Sequence, residues 1–124
     1  MKKILIVDDN EDLLELLRET FNAEGYETEC LTNANNICDA AHQAAPDLVI
    51  LDYILFGING GELCHQLKSD ERTRHLPVII ISGYPRVLES LGNYGADVIV
   101  PKPFDLNELI SVVNNCFNSP KATA

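Results

Sequence analysis

Five residues of this chain carry side chains that could act together in a reaction. They are the carboxylates of Asp8, Asp9 and Asp52, the hydroxyl of Ser82 and the ammonium of Lys102. The turn Asp8-Asp9-Asn10 is a poor seat for a free phosphate, because each carboxylate repels it by ~1 kcal/mol at 4 Å even in water. The glycine- or hydroxyl-rich turn that nucleotide and flavin sites place at a helix start is also missing. A hard divalent cation suits the same oxygens. Mg²⁺ is usually held by one or two carboxylates, some waters and a phosphate, and it relieves the repulsion of an acid pair facing a third carboxylate. Lys102 adds a movable positive charge, and Ser82 a hydroxyl that can donate to a phosphoryl oxygen. A carboxylate nucleophile can form an aspartyl phosphate, and such a transfer rests mainly on positioning and charge neutralisation.

All five sit where one kind of element would deliver them. Ile4-Leu5-Ile6-Val7 runs into Asp8-Asp9, Leu48-Val49-Ile50-Leu51 into Asp52, Val78-Ile79-Ile80-Ile81 into Ser82, and Val98-Ile99-Val100 into Pro101-Lys102-Pro103. Short apolar runs rich in branched side chains read as strands buried on both faces of a parallel sheet. Open α/β folds hold ligands at the carboxyl ends of such strands. Any one of these residues alone is more simply a turn residue or a helix cap. Their joint appearance after four strands argues against coincidence.

The intervening segments read as helices. Asn10 can cap the first, with Glu11 and Asp12 at the positive end of its dipole. Leu13, Leu14, Leu17 and Phe21 follow at helical spacing, and Gly25 is a stop. Tyr26 to Leu31 reads as the second strand. Asn33 is the expected cap of a second helix carrying Ile37, Ala40, Ala41 and Ala44, which Pro46 ends. An unusually apolar loop, Tyr53 to Gly60, leads to a third helix with Leu63 and Leu67 that ends near Asp70. Pro85 to Gly95 supports only a short helix. Asp105 and Glu108 form a capping box before Leu106, Leu109, Ile110, Val113 and Phe117. Strand and helix alternate five times, which predicts one doubly wound parallel sheet with helices on both faces.

Composition agrees. A chain of 124 residues with 46% hydrophobic content suits one core, here residues 1–118, with 119–124 a flexible tail or the start of a linker. A net charge of -10 argues against direct nucleic-acid binding. No apolar run reaches the ~20 residues of a membrane span, and no export signal is present, so the expected compartment is the cytoplasm. Cys30, Cys38, Cys64 and Cys116 have no metal-ligand spacing with one another or with His42, His65 and His75. They read as reduced thiols, and the histidines as surface residues.

With these residues in view, the chain resembles the receiver domains of two-component response regulators from Lys3 to Phe117. The resemblance rests on Asp8-Asp9, Asp52, Gly60, Ser82-Gly83, Gly95-Ala96-Asp97 and Lys102-Pro103-Phe104. It implies a flavodoxin-like sheet of order 2-1-3-4-5 and a phosphoacceptor at Asp52, served by a histidine kinase or a histidine phosphotransfer protein. It implies Mg²⁺, with Mn²⁺ as a substitute, on Asp8, Asp9, Asp52 and the Ile54 backbone carbonyl. Ser82, Gly83 and Lys102 would meet the phosphoryl group, and Lys102-Pro103 would be a cis peptide. The product is a signalling switch rather than an enzyme, monomeric or weakly dimeric when phosphorylated, acting on an output partner or domain that the sequence does not name. Three departures stand out. Leu55-Phe56 replaces the usual Met-Pro, Ile99 occupies the switch position that is usually aromatic, and the stretch from Ser82 to Lys102 is about two residues short. The expected mobile element is therefore residues 83–95, with Ile99 static. Two rivals are a phosphorylation-independent interaction module and a hydrolase with an aspartyl intermediate. The second is disfavoured, because such enzymes place an Asp-x-Asp pair after the first strand.

Overall fold

The computed structural model describes residues 1–33, 35–55, 58–83, 86 and 95–118, with backbone alone at 54–55 and 58–60. The expected short helix at 85–95 and the tail at 119–124 therefore fall largely outside the described residues. The main sheet has strands β1 (Lys3–Val7), β2 (Glu27–Leu31), β3 (Leu48–Asp52), β6 (Val78–Ser82) and β7 (Val98–Pro101). It is parallel throughout, in the order β2-β1-β3-β6-β7, which is the 2-1-3-4-5 order expected. Between β3 and the third helix the chain adds a small antiparallel ribbon, β4 (Ile54–Leu55) against β5 (Ile58–Asn59), where the sequence reads only as loop. The apolar, branched residues that made this loop look odd are good ribbon formers.

Helices α1 (Glu11–Ala23) and α4 (Leu106–Asn118) cover one face, and α2 (Ile37–Ala44) and α3 (Gly60–Ser69) the other. Strand alternation divides the core accordingly. Ile4, Ile6, Leu48, Ile50, Ile79 and Ile81 pack with Leu14, Leu17, Phe21, Leu109 and Val113. Leu5, Val7, Val49, Leu51, Val78 and Ile80 pack with Ile37, Ala41, Leu63, Cys64 and Leu67. β3 and β6 are buried along their whole length. Burying a Val, Leu or Ile contributes about 1.5–3 kcal/mol, so these central strands are the firmest mounts in the molecule.

Helix starts follow local chemistry, with one correction. The Asn10 side chain accepts the Leu13 N–H at 3.1 Å, and the Asp105 carboxylate accepts the Asn107 N–H at 2.8 Å. The cap of α2 is Asn36, not Asn33. Asn36 sits at φ 49 and accepts the Asp39 N–H at 3.3 Å. Asn33 instead turns the chain earlier, accepting the Asn35 N–H at 3.3 Å. Both are asparagines in a polar run, and Asn tolerates the left-handed region that the true cap occupies. β2 begins at Glu27 rather than Tyr26, whose ring lies against Phe21 and Phe117 and whose hydroxyl donates to Asn114 Oδ1. The Lys102-Pro103 peptide is cis. His42, His65 and His75 are exposed, and the four cysteines are free thiols.

Candidate functional site

The carboxyl ends of β1, β3, β6 and β7 lie at one edge, where backbone bonds tie β1 to β2, β3 to β6 and β6 to β7. Asp8 N–H donates to the Leu31 carbonyl at 3.1 Å, Tyr53 N–H to Ile81 at 2.9 Å, and Lys102 N–H to Ser82 at 2.8 Å. The side chains after each strand are therefore held by a ladder that continues to its last rung. Asp8, Asp52 and Ser82 are buried at 3%, 8% and 1% exposure, while Asp9 is exposed.

Asp8, Asp9 and Asp52 each offer a carboxylate oxygen within 4.8 Å of the others. Lys102 Nζ lies 2.7 Å from Asp52 Oδ1, a direct ion pair. The Asn10 amide donates to Asp8 Oδ1 at 2.9 Å, so the residue that caps α1 also holds the first acid of the pair. Burial raises the Asp8 carboxyl to about 6; the Asn10 amide opposes this, and the neighbouring Asp52 charge adds to it. Three hard oxygen donors, one of them on a carboxyl that resists ionising, are what a small divalent cation would neutralise, so the donor set fits Mg²⁺. Asp9, Asn10, Glu11, Asp12 and Thr32 line an open cleft beside the acids.

The structure thus brings together Asp8, Asp9, Asp52 and Lys102, and it places Ser82 at the end of the neighbouring strand with exposed Gly83 after it. Ile54 opens the ribbon two residues beyond Asp52. Ile99 lies in β7, half-buried, and packs on the α2/α3 side of the core. Sequence reasoning passed over two residues. The amide of Asn10 carries no side-chain signal of its role. Asp97 shows in the sequence only as the last residue of Gly95-Ala96-Asp97, yet its Oδ2 accepts from both Lys68 Nζ and the Val78 N–H at 2.8 Å, binding α3, β6 and the start of β7. Gly95, at φ +84, lets the chain turn there, beside the Lys68 side chain.

The comparisons with known proteins agree with this geometry. A family model for the response regulator receiver domain matches residues 4–114. The phosphate regulon transcriptional regulatory protein PhoB of Rhizobium meliloti is 36% identical over 115 residues, covering 91% of this chain and 51% of PhoB. The polar-differentiation response regulator DivK of Brucella anthropi is 31% identical over 116 residues, covering 92% of this chain and 94% of DivK. The chain therefore spans about half of the first relative and nearly all of the second. Among solved structures, the response regulator TrrA of Thermotoga maritima, in complex with Mg²⁺ and BeF, superposes with a TM-score of 0.82 at 32% identity. That match covers 93% of this chain and 98% of TrrA. The chain belongs to the response regulator receiver domain family.

Proposed function

We propose that Asp52 is a phosphoacceptor, and that the chain works as a phosphorylation switch fed by a histidine kinase or a histidine phosphotransfer protein. The observation that carries this is the pairing of a nearly buried Asp52 with Lys102 at 2.7 Å, opposite Asp8 and Asp9. In this reading an Asp52 carboxylate oxygen attacks the phosphorus of the donor phosphohistidine. The new O–P bond forms as the donor's N–P bond breaks, and the imidazole leaves with that electron pair. Lys102 moves its charge from the Asp52 oxygen to a phosphoryl oxygen, and Ser82 and the Gly83 backbone meet the others. Asp8, Asp9, Asp52 and the Ile54 carbonyl would hold Mg²⁺, whose charge offsets that of the phosphoryl oxygens. Mn²⁺, which also takes octahedral oxygen ligands, is expected to substitute.

We place this switch in the cytoplasm; among the described residues no helix is long and apolar enough to cross a membrane. The output partner is a separate protein or a domain beyond the receiver. The chain itself acts as a monomer or as a weak dimer when phosphorylated, and does not touch nucleic acid directly. A receiver-like module that never takes a phosphoryl group is the weaker reading, because it gives no use to an acid as costly to bury as Asp8. The test is incubation with acetyl phosphate and Mg²⁺, followed by intact mass. One added phosphoryl group is expected on the native chain and none on Asp52→Asn. Equal labelling of the variant would refute the assignment.

A further inference from the structure

Tyr53 leaves β3 one residue past the last register pair of the β3–β6 ladder, and Ser82 is the last residue of β6. The register pairs Asp52 with Ile81, and the Tyr53 N–H donates to the Ile81 carbonyl at 2.9 Å. One further step along the same register sets Tyr53 beside Ser82, about 5 Å apart across adjacent strands. Side chains alternate between faces along each strand. Val49 and Leu51 on β3, and Val78 and Ile80 on β6, belong to the α2/α3 side of the core, so the same alternation assigns Tyr53 and Ser82 to that side. Half-buried Tyr53 does pack on that cluster, and Ser82 is 1% exposed. Leu48 and Ile50 belong to the opposite side, which assigns Asp52 to that side. Ile99 is less well placed to touch Ser82, because its register partner on β6 is Ile80.

We propose that Tyr53 is a positioning residue for Ser82: its ring, fixed by the last rung of the β3–β6 ladder and packed on the α2/α3 core, walls the Ser82 side chain on the face away from Asp52. The inference rests on the reading of Asp52 as phosphoacceptor. For its hydroxyl to reach a phosphoryl group on Asp52, Ser82 must turn over the edge of the sheet and leave the ring. Contact with the ring is lost in that movement, so the ring holds the resting position. Its backbone anchor keeps Tyr53 itself in place, and the side chain alone has to adjust. On β7 the register partner of Ser82 is Pro101, an exposed residue at the strand end.

The experiment titrates beryllofluoride with Mg²⁺ into the native chain and into Tyr53→Ala, Tyr53→Leu and Tyr53→Phe, each with Ser82 and with Ser82→Ala, followed by backbone NMR. Removing the ring should tighten beryllofluoride binding at least threefold when Ser82 is present and leave it unchanged in the Ser82→Ala background. Tyr53→Phe, which keeps the ring, should bind as the native chain does. Tyr53→Leu fills most of the space, so it supplies the comparison if the alanine variant does not fold. A merely structural role would lower the melting temperature without any dependence on Ser82. The same change in both Ser82 backgrounds, no change in either, or Tyr53→Phe matching the truncations overturns the proposal. A native chain that takes no phosphoryl group from acetyl phosphate overturns the phosphoacceptor reading and this proposal with it; a phosphorylated native chain confines any failure to Tyr53.

Discussion

Asp8 stands out among the acids, because its burial and its hydrogen bond from the Asn10 amide pull it in opposite directions. The Asn10 amide favours the charged form, while burial and the Asp52 charge together raise the carboxyl to about 6 from an ordinary 3.8. Between those two values the folded chain binds a proton that the unfolded chain has released. Stability therefore falls as pH rises through this window, and the penalty is complete above about 6. By linkage its upper bound is about 3 kcal/mol. Asp8→Asn should raise the stability of the metal-free chain at pH 7.5 and remove this part of the pH dependence, while weakening Mg²⁺ binding. Denaturant melts at pH 4.5 and 7.5 would measure it, and a variant less stable than the native chain at pH 7.5 would contradict the account. Asp8, Asp9, Asp52, Ser82 and Lys102 were all legible in the sequence, because each follows an apolar run whose end could be read. The Asn10 amide was not, since every residue but proline carries one.

At the scale of elements, strand and helix positions among the described residues were legible from apolar periodicity, whereas the strand order was implied only by the family resemblance. Helix starts were legible where the neighbouring cap formers have another use. Asp8 and Asp9 also precede α1, but they end β1 and belong to the acid cluster, which leaves Asn10; α2 is preceded by Asn33, Asn35 and Asn36, and the choice depends on which of them takes a left-handed backbone. Asn36→Ala should cost about 1 kcal/mol as a lost cap, and Asn33→Ala clearly less; the reverse order in urea melts would restore Asn33 as the cap. The β4–β5 ribbon was missed because two-residue strands are shorter than any periodicity can report. Asp97 was missed for a different reason: its partners Lys68 and Val78 are distant in sequence. Asp97→Ala leaves the Val78 N–H without its acceptor and should destabilise the chain by about 1–3 kcal/mol. Asp97→Asn, which keeps an acceptor oxygen, should recover part of that loss. If both variants melt with the native chain, the three-way junction contributes nothing.

Across the whole molecule, charge and metal are coupled to stability. The native state collects three carboxylates that the unfolded chain disperses, so a cation that binds them favours folding. Mg²⁺ at about ten times its dissociation constant should add about 1.4 kcal/mol. The gain in melting temperature should be larger at pH 7.5 than at pH 5, where a proton on Asp8 competes, and Asp9→Ala should abolish it. Thermal melts at matched ionic strength decide this, because added NaCl screens the chain's net charge of -10 without coordinating.

The division of the core into two sides has one more consequence. The sheet is a partition between two apolar compartments, one under α1 and α4, the other under α2 and α3. By strand alternation Asp8 and Asp52 open from the first, and Ser82, Tyr53 and Ile99 from the second. Nothing polar crosses the partition through its middle, where β3 and β6 are sealed on both sides. A charge placed on Asp52 can therefore be felt in the second compartment only over the rim, through the few residues that stand at the strand ends. Substitutions deep in either compartment should change how firmly the protein folds, while those at the rim change what it communicates.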